Sequence, residues 1–363
     1  GGEPRRFSYR RDWREAAAQP AARRSVLGPW FQGQALPPPP DPDEPGEPVL
    51  PLEALRRFLL NPAREFLARV RVRLPELEEH GDDVEPLAAP ESALDRSRLQ
   101  RAVFEAALRG EEPRRMHALL RARGLLPSGE PGRRLLERQV GELQPWLEAF
   151  AGWRGDAGPR SLVAEVVVDG VRLRGRIDDV YPQGIARVRL GRPGGPATIR
   201  HGLDWLLARA AGLPLELVEF HELRLEDGVR HGPFPRPPLA PEQARAVLAA
   251  LLRLRAAGLC EPLPFAPYSG WEIYQGQGDY PRSVPRARTC WHGGGPRPPE
   301  SADPALRLAL RGRDPFADPA LLHRFVETAE AVYTAVADGR LAPGVDPDLL
   351  FGLAGVHDAE DAA

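Results

Sequence analysis

Two β-branched runs joined by an Asp-Gly pair constrain this chain more than any other feature. Residues 161–168 read Ser-Leu-Val-Ala-Glu-Val-Val-Val, Asp169-Gly170 follows, and residues 171–180 resume with Val-Arg-Leu-Arg-Gly-Arg-Ile-Asp-Asp-Val. Asp-Gly between such runs is a strong hairpin signal, because the central positions of a tight hairpin turn need positive φ. Pro182-Gln183-Gly184 makes a second turn into residues 185–190. Three antiparallel strands in meander order are expected here. A fourth strand is expected over residues 215–220 with Leu223, followed by a charged turn over residues 224–230.

Helical periodicity surrounds this region. Leu52, Leu55, Phe58 and Leu59 share one apolar face, and Pro62 suits the first turn of a following helix that carries Phe66, Leu67 and Val70. Further helices are expected over residues 97–108, from 116 to near Gly124, and over 133–150, 201–211, 241–257 and 321–337. The 241–257 helix has Pro241 at its start, Glu242 in its first turn and Gly258 after its end. Glu85-Pro86-Leu87 reads as a break, and residues 262–291 as an irregular, aromatic-rich stretch. One central sheet with flanking helices, preceded by additional helices, is an α+β architecture. Residues 1–48 carry little periodicity, and residues 36–42 form a stiff polyproline II spacer. Phe7, Tyr9, Trp30 and Phe31 either dock on a neighbouring surface or are incidental to a tether. The organisation expected is a Pro-rich linker (1–48), one domain (49–345) and a tail (346–363).

Composition narrows the chemistry. Formal net charge is −2 over 363 residues, so total charge does not announce a nucleic-acid binder. All 49 basic residues are arginine. The guanidinium fork suits phosphate and carboxylate alike, although a chain rich in Ala, Gly, Pro and Arg is first of all what GC-rich coding produces. Without lysine there is no phosphate-binding loop ending in Gly-Lys. Cys260 and Cys290 are far apart, which argues against a zinc ribbon or disulfide scaffold and fits a cytoplasmic location. No run of 18 apolar residues occurs, so no membrane-spanning helix is expected. The start, Gly1-Gly2-Glu3-Pro4, lacks the apolar run of a signal peptide and reads as the beginning of a fragment.

Gly175-Arg176-Ile177-Asp178 looks like the metal-binding strand of a nuclease. Such enzymes hold Mg²⁺ with several carboxylates plus substrate phosphate. The next strand should add a carboxylate and a lysine, and it adds neither: no Asp or Glu lies between Asp179 and Asp204. A lone Asp178 near Arg174, Arg176, Arg187 and Arg189 reads as a structural ion-pair residue, with no metal site. Asp179 should point to the opposite face of the strand, into solvent. The eight histidines show no ligand spacing. His201, at the start of the helix after the hairpin, is the one near Asp178. His221, His231 and His292 read as surface or capping residues.

Nucleic-acid contact has two candidate regions. Trp271, Tyr274, Tyr280 and Trp291 alternate with Arg282, Arg286 and Arg288, and aromatics for bases with arginines for phosphates are the single-strand recipe. The same pattern fits a packed surface whose aromatics are core anchors. Arg187, Arg189, Arg192 and Arg200 form a second basic set, suited to phosphate or to acidic helices.

Several segments in order resemble the RecC family, the gamma subunits of exodeoxyribonuclease V, in their C-terminal part. They are Phe7-Ser8-Tyr9 with Arg11-Asp12-Trp13, Leu52 to Phe58 with Asn61-Pro62 and Phe66, Glu85-Pro86-Leu87, and Gly124-Leu125-Leu126-Pro127 with Gly132. The hairpin ending at Gly184, Leu203-Asp204-Trp205-Leu206, Gly258 with Pro262-Leu263-Pro264-Phe265, and Trp291-His292-Gly293 follow. The resemblance implies a PD-(D/E)xK nuclease-like core without catalysis. The Asp-x-Lys pair of active relatives would fall near Arg187 and Arg189, or near Leu190 and Arg192, and the Gln and Tyr of their next helix are His201 and Trp205 here. Relatives with an iron–sulfur cluster carry cysteine near Asn61-Pro62, where this chain has none. It further implies a bacterial scaffold subunit of a RecBCD-like complex that contacts RecB-like and RecD-like partners. The subunit would guide single strands from double-stranded DNA ends and carry a strand-splitting pin, while partners use ATP and Mg²⁺. A helicase-like region would precede Gly1. The alternatives are an active Mg²⁺-dependent single-strand nuclease with a migrated carboxylate, Glu216 or Glu219, and a protein-binding scaffold that never touches DNA.

Overall fold

A computed structural model describes residue 37 and residues 48–74, 92–294 and 297–354. Phe7, Tyr9, Trp30 and Phe31, most of the polyproline spacer, the Glu85-Pro86-Leu87 break and the end of the tail lie outside the described residues.

The described chain begins with a short strand, β1 (Val49–Pro51), and two helices, α1 (Leu52–Leu60) and α2 (Pro62–Arg69). Asn61 separates the helices, and its side chain accepts from Arg64 N, capping α2 with Pro62 in its first turn. Three more helices follow: α3 (Ala93–Leu108), α4 (Pro113–Ala122) and the long α5 (Gly129–Arg154). The expected meander is present as β2 (Arg160–Val168), β3 (Val171–Tyr181) and β4 (Gly184–Val188), paired antiparallel in that order. Asp169 and Gly170 both have positive φ, as a tight hairpin turn requires. Then come α6 (Gly195–Ala210), β5 (Leu217–Phe220), a separate hairpin of β6 (Leu223–Leu225) and β7 (Gly228–Arg230), and β8 (Phe234–Pro235). The remaining helices are α7 (Pro241–Cys260), α8 (Pro267–Gln275), α9 (Tyr280–His292), α10 (Pro304–Ala309) and α11 (Pro319–Tyr333), the last running into a π-helical turn, Thr334–Asp338.

The architecture is α+β, with a mixed six-stranded sheet and helices on both faces. β3 is its hub. β2 pairs along nearly all of β3, so β1, parallel at residues 172–174, and β4, antiparallel at residues 180–181, share the other edge at opposite ends. Between them the β3 edge has no strand partner among the described residues. Leu173, Gly175 and Ile177 face α1 and α6. A Cβ at Gly175 would stand 2.8 Å from both Leu52 and Leu207, so glycine lets the two helices close on the sheet. The opposite face carries Tyr181, Ala186, Val218 and Phe220, which share a core with Phe104, Leu136, Leu143 and Phe150 of α3 and α5.

Two expectations need correction. Residues 262–291 are not irregular: they fold as α8 and α9. Their prolines mislead because Pro267 and Pro281 occupy first turns, where a missing N–H costs nothing. Residues 224–230 are not a simple charged turn but most of the β6–β7 hairpin. β1 and its parallel pairing were not foreseen, since three residues ending in Pro51 carry no periodicity.

Candidate functional site

Strict alternation along β3 would send Asp178 and Asp179 to opposite faces. A bulge interrupts that alternation here. Between Ile177 and Val180, β3 spends three steps against two on β2, between Leu162 and Arg160, and Asp179 takes φ +57°. Both aspartates are exposed, and both line one pocket of about 390 Å³ that also includes Arg56, Arg187, His201 and Asp204. Asp179 is exposed to solvent, as expected.

Asp204 is the residue the sequence reading missed. It sits on the inner face of α6 between Leu203 and Trp205, and only 6% of it is exposed. Each of its oxygens takes a different guanidinium: Oδ1 accepts from Arg56 Nη2 at 2.6 Å, and Oδ2 from Arg187 Nη2 at 2.5 Å. Arg187 Nη1 donates to the main-chain oxygens of Asp178 and Ala186, both at 2.8 Å, and lies 3.8 Å from Asp179 Oδ2. The Asp178 carboxylate is engaged elsewhere, by Ser161 Oγ at 2.5 Å and Arg176 Nε at 2.7 Å. Those hydrogen bonds hold its pKa below the ordinary value. Of the four arginines expected around Asp178, Arg176 reaches its carboxylate and Arg187 its main chain. Arg189 turns away to the carbonyl of Arg192. The one available signal for Asp204 was an acid flanked by apolar residues inside an amphipathic helix, which implies a buried partner.

A second buried network lies beside the first, because Glu219 is in register with Arg187 across the parallel β4–β5 pair. His201 Nδ1 is 3.1 Å from Glu219 Oε1, and Arg236 Nε donates to Glu219 Oε2 at 2.9 Å. The Arg236 guanidinium also covers the Trp205 ring at 5.1 Å. Burial pushes the Glu219 carboxyl up, but the bond from His201 and the Arg236 charge outweigh it and hold the carboxyl well below its ordinary range. Burial pushes His201 down, and its bond to Glu219 offsets only part of this. Glu216 is exposed and lines no part of this pocket.

A pH dependence follows. A depressed carboxyl contributes its full stability above the ordinary value of 4.5 and loses it as pH falls toward the folded value. The stability difference between wild type and Glu219→Gln, read from denaturation midpoints, should therefore narrow as pH falls below about 4.5. A gap that stays constant would show that the Glu219 charge contributes nothing.

The described side chains meet here through ion pairs and hydrogen bonds. Arg187 lies between Asp204 and the Asp178–Asp179 main chain, and both Asp204 oxygens are taken. Among the described residues no three His, Cys, Asp or Glu side chains are placed to share a metal ion.

The aromatic set lies elsewhere. Trp291 is 3% and Tyr280 6% exposed. Trp291 packs on Phe316 and Phe325, and Trp271 on Tyr274 and Tyr333. Tyr280 and Trp291 are thus core anchors of α9 and offer no ring face for a base. Arg282 and Arg286 are exposed, while Arg288 donates to the Leu353 carbonyl. Arg192 and Arg200 are exposed, with Arg192 3.6 Å from Glu222.

Sequence comparison places this geometry in a lineage. A model of the RecC C-terminal domain matches residues 47–278, well over half of the chain. The chain belongs to the RecC family. RecBCD enzyme subunit RecC of Escherichia coli (strain K12) is 29% identical over 267 residues, covering 73% of this chain and 22% of that protein. The chain therefore spans less than a quarter of this relative's length. The RecC match contains both buried networks whole, from Arg56 to Arg236, and ends before α9.

Proposed function

We propose that this chain is a non-catalytic segment of a RecBCD-like helicase–nuclease assembly that processes double-strand breaks for recombination. Its sheet and flanking helices serve as a nuclease-like scaffold whose catalytic pocket has been filled. The observation that carries this reading is Arg187, bridging Asp204 to the main chain of Asp178 where a metal-dependent enzyme would leave room for its cation. Family membership supports the assembly, with RecB-like and RecD-like partners and DNA ends as its substrate. ATP and Mg²⁺ belong to those partners, and this segment needs no cofactor. The proposed organisation is a linker through residue 48, the RecC C-terminal domain over 49–345 and a tail, in the bacterial cytoplasm. No helix among the described residues is long and apolar enough to cross a membrane.

Two measurements test this. Coexpression with RecB-like and RecD-like proteins should yield a copurifying complex, and deletion of residues 191–363, which removes α6 and Asp204, should abolish it. Failure of the intact chain to associate with either partner sinks the assembly reading. In a single-strand DNA cleavage assay with Mg²⁺, the chain alone should release no product. Cleavage that disappears in Asp178→Ala would replace the scaffold reading with an active nuclease.

A further inference from the structure

The sheet face that meets α3 and α5 at Tyr181 and Phe220 continues along β3 to side chains left exposed. Arg172, Arg174 and Arg176 alternate there with Leu173, Gly175 and Ile177, so the three arginines share this outer face. The strand register sets apolar residues on both sides of them. Arg172 pairs with Val49 of β1 and Val167 of β2, Arg174 with Pro51 and Glu165, and Arg176 with Val163. Val163, Val49 and Val167 are 60%, 59% and 42% exposed, and together they form a patch rather than scattered apolar positions. The charges on this face do not cancel. Glu165 Oε1 accepts from Arg172 Nη1 at 2.5 Å, and Asp178 Oδ1 from Arg176 Nε at 2.7 Å. Among the described residues no carboxylate comes within ion-pair distance of the exposed Arg174. Where β3 has no strand partner between β1 and β4, a recess of about 430 Å³ opens, lined by Pro51, Val163, Arg174, Arg176 and, from α1, Arg56. Glu53 and Asp204 take the two Nη atoms of Arg56, while its Nε is buried with no hydrogen-bond partner. A buried donor left unmet is costly, so an acceptor brought to it binds favourably.

We propose that this face binds an acidic amphipathic helix of a partner protein. Its carboxylates meet Arg174 and the arginine-lined recess, and its aliphatic side chains cover the valines on either side. Charge complementarity selects the acid, and the apolar margins select aliphatic neighbours for it. The strip of β1, β3 and β2 is about 10 Å wide, which suits a helix about 10–12 Å across. α3 and α5 already cover the adjoining part of the same face, so such a helix extends an existing layer. Nucleic acid fits this surface less well. Glu165 and Asp178 stand among the arginines, and valine and proline offer no flat ring on which a base could stack. The proposal rests on the scaffold reading above in requiring a protein partner, and it adds a surface and a partner chemistry.

Fluorescence anisotropy with the 363-residue chain tests it, using a labelled synthetic helix-forming peptide that carries a stripe of Glu flanked on both sides by Leu. The chain should bind this peptide saturably, and less tightly as salt rises. Arg174→Glu, at an exposed position, should weaken binding roughly tenfold or more and shift preference toward a peptide with Lys in place of Glu. Val163→Ser/Val167→Ser leaves every charge in place and should weaken binding roughly fivefold. Arg121→Glu, the same charge change at an exposed position of α4, should leave binding unchanged. No saturable binding by the unaltered chain, unchanged affinity in both site variants, or an equal loss in Arg121→Glu overturns the site. Displacement of the peptide by oligothymidylate overturns the helix in favour of a nucleic-acid strand. A chain that copurifies with RecB-like and RecD-like proteins while failing these tests leaves the assembly reading intact.

Discussion

Asp204→Ala is expected to destabilise the domain by about 3–5 kcal/mol, because removing one member of a buried ion-paired group leaves the others buried and uncompensated. Here two guanidiniums lose their shared acceptor, and Arg187 is only 10% exposed. For a domain of this size the melting midpoint should drop by roughly 6–20 °C. The diagnostic variant is the apolar replacement of the whole group. Asp204→Leu with Arg56→Met and Arg187→Met removes the charges together with their desolvation cost, and such replacements are often neutral or stabilising by about 1–4 kcal/mol. Thermal melts of the three proteins separate the cases. If Asp204→Ala melts with the wild type, the Arg56–Asp204–Arg187 group contributes no net stability. If the triple variant is as unstable as the single one, the loss came from packing rather than charge.

Phe150→Ala should cost a similar amount, about 3–5 kcal/mol, through a different mechanism. Phe150 is 3% exposed and stands at the centre of an aromatic group. Its ring centroid lies 5.2 Å from Phe220, 5.8 Å from Tyr181, 6.1 Å from Trp153 and 6.2 Å from Phe104. Those partners belong to β5, β3, α5 and α3, so the cavity opens in the seam that fastens the α3–α5 helices to the sheet. Chemical denaturation followed by tryptophan fluorescence would read both the loss and its location, since Trp146 and Trp153 report on this seam. A loss near 1 kcal/mol would mean that α5 relaxes into the gap and that the helices are held mainly by other contacts. Phe150→Leu, which keeps most of the volume, should recover over half of the loss.

How legible these features were depended on the range of the interaction behind them. The β2–β3–β4 meander and helix α7 were readable because their signals are local: an Asp-Gly turn, β-branched runs, and a proline in a first turn. The lack of acids between Asp179 and Asp204 was legible too, but not which acid meets Arg187. Asp204 reaches the pocket from a helix, and nothing local says which strand that helix faces. The pairing of Glu219 with Arg236 was hidden for the same reason. The bulge at Asp179 was hidden because one extra residue in a strand leaves no mark in composition. Tyr280 and Trp291 were misread as loop residues because Pro281 and Pro285 look like breakers, whereas Asp279 caps the helix they begin.

The placement of β1 has a consequence for biosynthesis. Val49 pairs with Arg172, and Phe58 of α1 closes against Gly258, where a Cβ would stand 2.5 Å from its ring. The apolar face of α1 therefore leaves the ribosome long before its docking partners exist. At about 5–20 residues per second, Leu52, Leu55 and Phe58 would stay uncovered for on the order of 10 s. During that interval the nascent segment is exposed to aggregation, and slowing translation between α1 and Gly258 should increase it.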